Sequence, residues 1–368
     1  MKITILLRVP FLDKIPNLKT LIIFLANKGY DIEIISTKSA NYPIPDLTDF
    51  PNIKLKLVNQ RTKKMGIPTS VKLLYVVMIS ILFHKSNVYI GGDNSANKLL
   101  FFIKKFLHFK HVNFVLEYPD INNDQDIKII EGADFLITHD HWHSDFLEKH
   151  CDLSKTKCLY LPNASYTDVY KGKSDYLKNL LGISQSKLVI LHSGGLGKWF
   201  MCKELAEISS RWSDDKTLVF HTSHHVDSDP YYISIRSEVG DRANVKFSTN
   251  PVPNTELDEL VASADIGIAL YSVEHLGYRA EYMGLAAGKI GNYLKCGVPV
   301  IATRLPSLTY IEEFKCGILV DSLNDIENAC NTIRDNYSQY QAAAYKCYME
   351  LWHPESYLEI IEKTLSCQ

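Results

Sequence analysis

The stretch GLAAGKIGNYLKCGVPVIAT, residues 284–303, joins two textures. Its first half is small and glycine-rich, with one early lysine, Lys289. Its second half is a β-branched run launched by Gly297 and Pro299. A helix N-terminus carries unpaired N–H groups and a partial positive charge. Small residues let a ligand approach that backbone, so a helix starting at Gly288 and Lys289 suits a phosphate. The apolar run behind it then reads as a buried parallel strand.

The same alternation extends in both directions. Apolar runs at 2–8, 31–36, 87–92, 112–118, 133–139 and 157–163 are separated by helical stretches around 19–28, 71–83, 97–110 and 144–149. A polar stretch, 164–187, interrupts the rhythm, which restarts at 188–193, 217–222, 244–249, 266–271, 299–303 and 317–320. Such alternation predicts α/β architecture with two Rossmann-like, doubly wound domains. The expected boundaries are 1–165 for the first domain, 166–345 for the second and 346–368 for a helical tail packing back on the first. Doubly wound sheets bind ligands beyond the carboxyl ends of their strands, so two facing domains would hold theirs in a central cleft.

Composition narrows the classes. The 368 residues suffice for two cores, and 46% hydrophobic with 22% charged residues fits a globular chain. A net charge of −2 argues against nucleic acid as the main partner. No two of the 8 cysteines have CxxC spacing, which points to a reducing, cytoplasmic setting without a structural metal. The opening MKITILLRVPF is broken too early by Arg8 and Pro10 for a signal peptide and reads as a strand. The most apolar window, 71–83, falls short of the ~20 residues needed to cross a bilayer.

Two motifs carry chemistry in the second half. In LVILHSGGLGKW, residues 188–199, a strand runs into a loop where Gly194, Gly195 and Gly197 permit close backbone approach and Lys198 can reach an anion. The loop lacks GxGxxG spacing and a following acidic residue, which disfavours a dehydrogenase. In the opening stretch, Lys289 can hold a diphosphate while Asn292, one turn on, donates to a ribose hydroxyl. The alternative is a surface lysine beside a surface amide.

These stretches, taken in order, resemble the nucleotide-binding half of GT-B glycosyltransferases, particularly the family 4 type. CLYLPNAS resembles the end of the N-terminal domain, LHSGGLGK the glycine-rich loop beside the donor diphosphate, and ELDELVASADIGIALY the helix and strand before the donor loop. GKIGNYLKCGVPVIAT resembles the donor-binding helix and its strand, and CYMELW the tail. The resemblance runs from residue 157 onward; the first half matches only in layout. It implies a metal-independent hexosyltransferase without a cofactor, moving sugar from a nucleotide-diphosphate donor to a glycan or lipid-linked acceptor in polysaccharide or glycoconjugate assembly. Gly194, Gly195, Lys198, Gly288 and Lys289 would line the diphosphate, and the loop at 249–254, with Pro253, would face the base. Three positions depart from the pattern. Asn292 and Gly284 stand where the family has glutamates, and Gly195 where it often has arginine. Glu281 or Glu274 is the available substitute carboxylate.

In the first half, Glu117 in LEYPD sits at an expected strand end, as a group binding the sugar or deprotonating the acceptor, or as a helix cap. The alternating His139, His141 and His143 read as surface residues rather than a zinc site. The lysines and aromatics of 97–110, with the basic run 61–66, allow a peripheral membrane contact. A sugar-nucleotide 2-epimerase of the same fold and a non-catalytic nucleotide-sugar-binding subunit are the rival readings. Retention or inversion stays open.

Overall fold

A computed structural model describes residues 1–8, 10, 12–38, 44–59, 67–165, 167–223, 226–240 and 242–366. The chain divides into two units. Unit 1 is Met1–Tyr166 with Pro354–Gln368, and unit 2 is Thr167–His353. Residues 346–353 therefore belong with unit 2, and the tail joins unit 1 only from Pro354.

Unit 1 runs β1 (Lys2–Leu7), α1 (Pro16–Asn27), β2 (Asp31–Lys38), β3 (Ile53–Asn59), α2 (Ile67–Ile79), β4 (Val88–Gly91) and α3 (Asn94–Lys104). It continues with β5 (Lys110–Phe114), α4 (Asp124–Glu131), β6 (Phe135–Thr138), α5 (His141–His150) and β7 (Lys157–Tyr160). All pairings are parallel, in the order β3-β2-β1-β4-β5-β6-β7. Ile3 and Ile5 of β1 lie in one buried cluster with Leu18 and Leu25 of α1.

Unit 2 runs α6 (Tyr176–Leu181), β8 (Leu188–Ser193), α7 (Cys202–Ser209), β9 (Lys216–His221), α8 (Pro230–Val239), β10 (Val245–Ser248) and α9 (Asn254–Ala262). Then follow β11 (Ile266–Ala269), α10 (Val273–Leu276), α11 (Gly288–Lys295), β12 (Val300–Thr303), α12 (Tyr310–Glu313), β13 (Gly317–Val320), α13 (Ile326–Asp335) and α14 (Tyr337–Cys347). This sheet is also parallel, ordered β10-β9-β8-β11-β12-β13. The strands are apolar almost throughout, as burial on both faces demands. Past α14 the chain reaches α15 (Glu355–Ser366), whose Leu358, Ile361 and Leu365 enter the core of unit 1 beside β1.

The strand order fixes where ligands can go. In unit 2, β8 leads outward through β9 to β10, and β11 leads the other way through β12 to β13. The direction reverses between β8 and β11, and that switch opens a crevice at their carboxyl ends. In unit 1 the same reversal falls between β1 and β4.

Two expectations about strands differ from the structure. The strand expected at 112–118 ends at Phe114, so Glu117 lies in a bend three residues beyond it. The edge strand β3 was not among the expected strands; it is half-exposed and interleaves lysines with aliphatics.

Candidate functional site

The two motifs meet at the switch point of unit 2. The glycine loop leaves β8, and the segment leading to α11 leaves the neighbouring β11. The Ser272 N–H donates to the Trp199 carbonyl (2.9 Å), tying the two connections together.

The first connection needs glycine at one position above all. Gly194 has φ +131°, a backbone geometry that a side chain would strain. A Cβ there would lie 3.8 Å from Cε of Lys289, so this turn touches the end of that lysine. The Gly194 N–H itself donates to the His221 carbonyl (2.9 Å) and is committed to the sheet. Gly194 therefore contributes space rather than a donor, and Gly195 beside it is exposed. His192 lies beneath this loop, its Nε2 3.2 Å from the Gly195 carbonyl and 3.6 Å from Sγ of Cys202. Burial drives the His192 pKa well below the usual imidazole range and pushes the Cys202 thiol up to about 11.

α11 is held from several sides. Its Ile290, Tyr293 and Leu294 are buried. The Tyr293 hydroxyl accepts from the Ser193 N–H (2.8 Å) and donates toward the Leu191 carbonyl (2.9 Å), bolting the helix to the end of β8. Gly267 of β11 leaves the room for that ring, since a Cβ there would come within 2.4 Å of it. Gly291 does the same for Trp352. Lys295 closes the helix through Asp258 (2.6 Å) and Thr167 (2.7 Å).

Lys289 is the unusual group. The residue keeps some exposed surface, yet its Nζ is sealed from solvent and has no hydrogen-bond partner. The ammonium lies 3.4 Å from the centroid of Phe200 and 5.8 Å from that of Tyr271. The other buried lysines among the described residues, Lys178, Lys216 and Lys295, all reach oxygen partners. Desolvation lowers the Lys289 pKa to about 7, and the ring faces return only part of the lost solvation. A cation kept here without a counter-ion is poised for an anion.

The remaining candidates are more dispersed. Gly288 opens α11, and Asn292 is half-buried one turn beyond Lys289. Lys198 begins a short 3-10 turn and is exposed, with Trp199 beside it. Pro253 is exposed at the start of α9, after β10 at the sheet edge, two strands from β8. The segment between β11 and α11 contains α10 and two 3-10 turns, with Glu274 and Glu281 exposed. Gly284 is buried at φ +42°, its N–H donating to the Ser307 hydroxyl (3.0 Å).

In unit 1, Glu117 is exposed and borders a small hollow that mixes Asn94, Asn97, Asn113 and Asp126 with Pro119, Ile129 and Ile130. The surface reading of the histidines fails for two of three. His139 and His143 are buried and stacked 5.4 Å apart, while His141 is exposed. The reason is local: Asp140 caps α5 by accepting from the His143 N–H (2.8 Å), which turns His143 inward against Tyr118. Among the described residues, no three His, Cys, Asp or Glu side chains gather as a metal-ligand set. The basic run 61–66 lies outside the described residues.

Phe200, Tyr271, Tyr293 and His192 were not singled out from sequence. Tyr271 ends the apolar run 266–271 and Tyr293 follows Asn292, but nothing local marks either as a wall of the site.

Residues 219–354 match the family described as glucosyltransferase 3-like, C-terminal domain. No curated protein sequence matches the chain. Among solved structures, HepE of Anabaena in complex with UDP and glucose is similar over all of both chains, at 14% identity and TM-score 0.74. Sucrose-phosphate synthase of Thermosynechococcus elongatus is similar over 99% of this chain and 98% of its own, at 13% identity and TM-score 0.74. WaaG, a glycosyltransferase involved in lipopolysaccharide biosynthesis, is similar over all of both chains, at 13% identity and TM-score 0.68. The chain has the GT-B fold.

Proposed function

We propose that this GT-B chain is a glycosyltransferase whose unit 2 holds a nucleotide-diphosphate sugar at the β8–β11 switch point. The observation that carries the reading is the buried, partnerless ammonium of Lys289 at the glycine loop. The family match over 219–354 supports the donor chemistry, and HepE, similar in fold, is complexed with UDP and glucose. A uridine diphosphate hexose is therefore the donor to test first.

In transfer, the bond from the anomeric carbon to the diphosphate breaks, and its electron pair leaves on the phosphate oxygen. Lys289 meets that charge where water is excluded, so the interaction exceeds its worth in water. Gly194, Gly195 and Gly288 let the diphosphate approach, Lys198 adds a second cation at the rim, and Asn292 donates to the ribose. The loop at Pro253 faces the base. Glu281 contacts the transferred sugar. The acceptor hydroxyl attacks the anomeric carbon, and Glu117 of unit 1 is our choice for the group that takes its proton. Protein cations supply the charge stabilisation, so no divalent metal enters the scheme. The acceptor is a glycan or a lipid-linked sugar of surface polysaccharide or glycoconjugate assembly, and the setting is the cytoplasm.

The test is a panel of nucleotide sugars with the purified protein. Release of nucleoside diphosphate that depends on an added glycan or lipid-linked acceptor is the expected result. A changed sugar with intact nucleotide, or binding without release, would replace the transferase reading.

A further inference from the structure

We propose that the outer face of α2 and α3 docks peripherally on an anionic lipid surface. α2, the π-helical turn 80–84 after it, and α3 bury their inner sides in one cluster, where Leu73, Val77 and Ile81 meet Leu100 and Ile103. The outer side carries large apolar side chains, all exposed: Val71 and Tyr75 on α2, Leu82 and Phe83 on the π-helical turn 80–84 that follows it, Phe102 on α3 and Phe106 just past its end. Phe83 is 77% exposed and Phe106 69%, extreme for phenylalanine. Residues 71 and 75 lie one helical turn apart, Leu82 and Phe83 follow on the π-helical turn, and the rings of Phe102 and Phe106 pair 5.5 Å apart, so the exposure is grouped rather than scattered.

Charge says what covers this face. Residues 67–110 contain six lysines and a single carboxylate, Asp93. Asp93 is buried, capping α3 by accepting from the Ala96 N–H (2.8 Å). Lys72, Lys85, Lys98 and Lys105 are exposed around these apolar side chains. Aromatics flanked by lysines, with no exposed acid on the same segment, match an interface with lipid tails below and anionic headgroups above. A symmetric contact with a second copy would set lysine against lysine with no exposed acid in the segment to pair them. No described helix is long and apolar enough to cross a membrane, so the contact is peripheral.

The proposal does not depend on sugar transfer, and vesicle flotation tests it without an activity assay. The full chain is mixed with phosphatidylcholine vesicles, or with vesicles holding about a third phosphatidylglycerol, at low and at high salt, because screening weakens surface attraction. Flotation with the anionic vesicles at low salt, at least tenfold weaker on neutral ones, is expected. Each lysine near such a surface is worth roughly fivefold in affinity, equivalent to about 1 kcal/mol. Lys72→Glu/Lys98→Glu/Lys105→Glu should thus lose on the order of a hundredfold or more. Phe83→Ser/Phe106→Ser should weaken binding at both salt levels. Melting temperature confirms that each variant is folded. Wild-type protein that stays unbound to anionic vesicles at low salt, or folded variants that bind like wild type, would overturn the proposal. So would self-association in light scattering that the phenylalanine variant abolishes while vesicle binding is absent, which would make the face a contact between copies.

Discussion

The ammonium of Lys289 sits 3.4 Å above the ring centre of Phe200, and no oxygen atom of the protein hydrogen-bonds it. A lysine in that setting costs folding free energy, and the cost has a direction in pH. Its folded pKa of about 7 lies below the unfolded value of 10.5. The unfolded chain therefore holds the extra proton between pH 7 and 10.5, and stability from this group rises across that window. At and below pH 7 the full penalty stands.

Replacing the cation should separate stability from binding. Lys289→Met is expected to raise the melting temperature, by ~2–4 °C for each kcal/mol relieved in a domain of this size. It should weaken donor binding tenfold or more, the scale of a lost charge-assisted hydrogen bond. Calorimetry and a melting curve on the same variant check both. Unchanged affinity would remove Lys289 from the site.

Donor binding should also draw in a proton. A diphosphate beside Lys289 favours its charged form, so wild-type affinity should fall as pH rises above 7. Calorimetry near pH 8 in buffers of different ionisation enthalpy reads the uptake directly. Lys289→Met should lose it.

The Tyr293 hydroxyl should matter out of proportion to its single oxygen. Tyr293→Phe leaves the Ser193 N–H without its partner at the end of β8, a loss of about 1–3 kcal/mol. The glycine loop begins at the next residue, so KM for the donor should rise as well. A normal melting curve with normal KM would contradict this.

Gly267 and Gly291 should not tolerate alanine. The new Cβ at Gly267 would lie 2.4 Å from the Tyr293 ring, and that at Gly291 2.5 Å from Trp352. Overpacking of this kind costs ~1–3 kcal/mol. Denaturant unfolding of the two variants, against Gly182→Ala as a control in open space at φ +62°, separates ring clash from backbone strain.

Glu117→Gln should lower turnover by roughly a hundredfold if the carboxylate takes the acceptor proton. Donor affinity should be unchanged. Because Glu117 is exposed, stability should stay within about 0.5 kcal/mol of wild type. Normal turnover would leave the acceptor side without its base. In the same assay a chelator should leave the rate unaltered; loss restored by magnesium would contradict the metal-free scheme.

Much of this architecture was legible because buried parallel strands are continuous apolar runs, as in LVILHS and KITILL. β3 escaped because IKLKLVN mixes lysines with aliphatics on a half-exposed edge. The tip of the site was legible through small residues, Gly194 and Gly288, that announce close approach. Its walls were not. Whether Lys289 is solvated or sealed depends on Phe200 and Tyr271, contributed by the connections after two adjacent strands. The inward turn of His143 hangs on one capping bond from Asp140, which residue spacing alone does not reveal.

The return of Pro354–Gln368 to unit 1 has a consequence for biosynthesis. Leu358, Ile361 and Leu365 share a core with β1, and Tyr30 hydrogen-bonds Glu362. The ribosome delivers those residues only after all of unit 2. Unit 2 is one continuous segment and can complete itself during elongation, whereas the unit begun first must wait with an apolar groove open. Nonsense mutations near codon 354 should therefore injure the N-terminal unit, and chaperone demand should peak on the half of the protein made earliest.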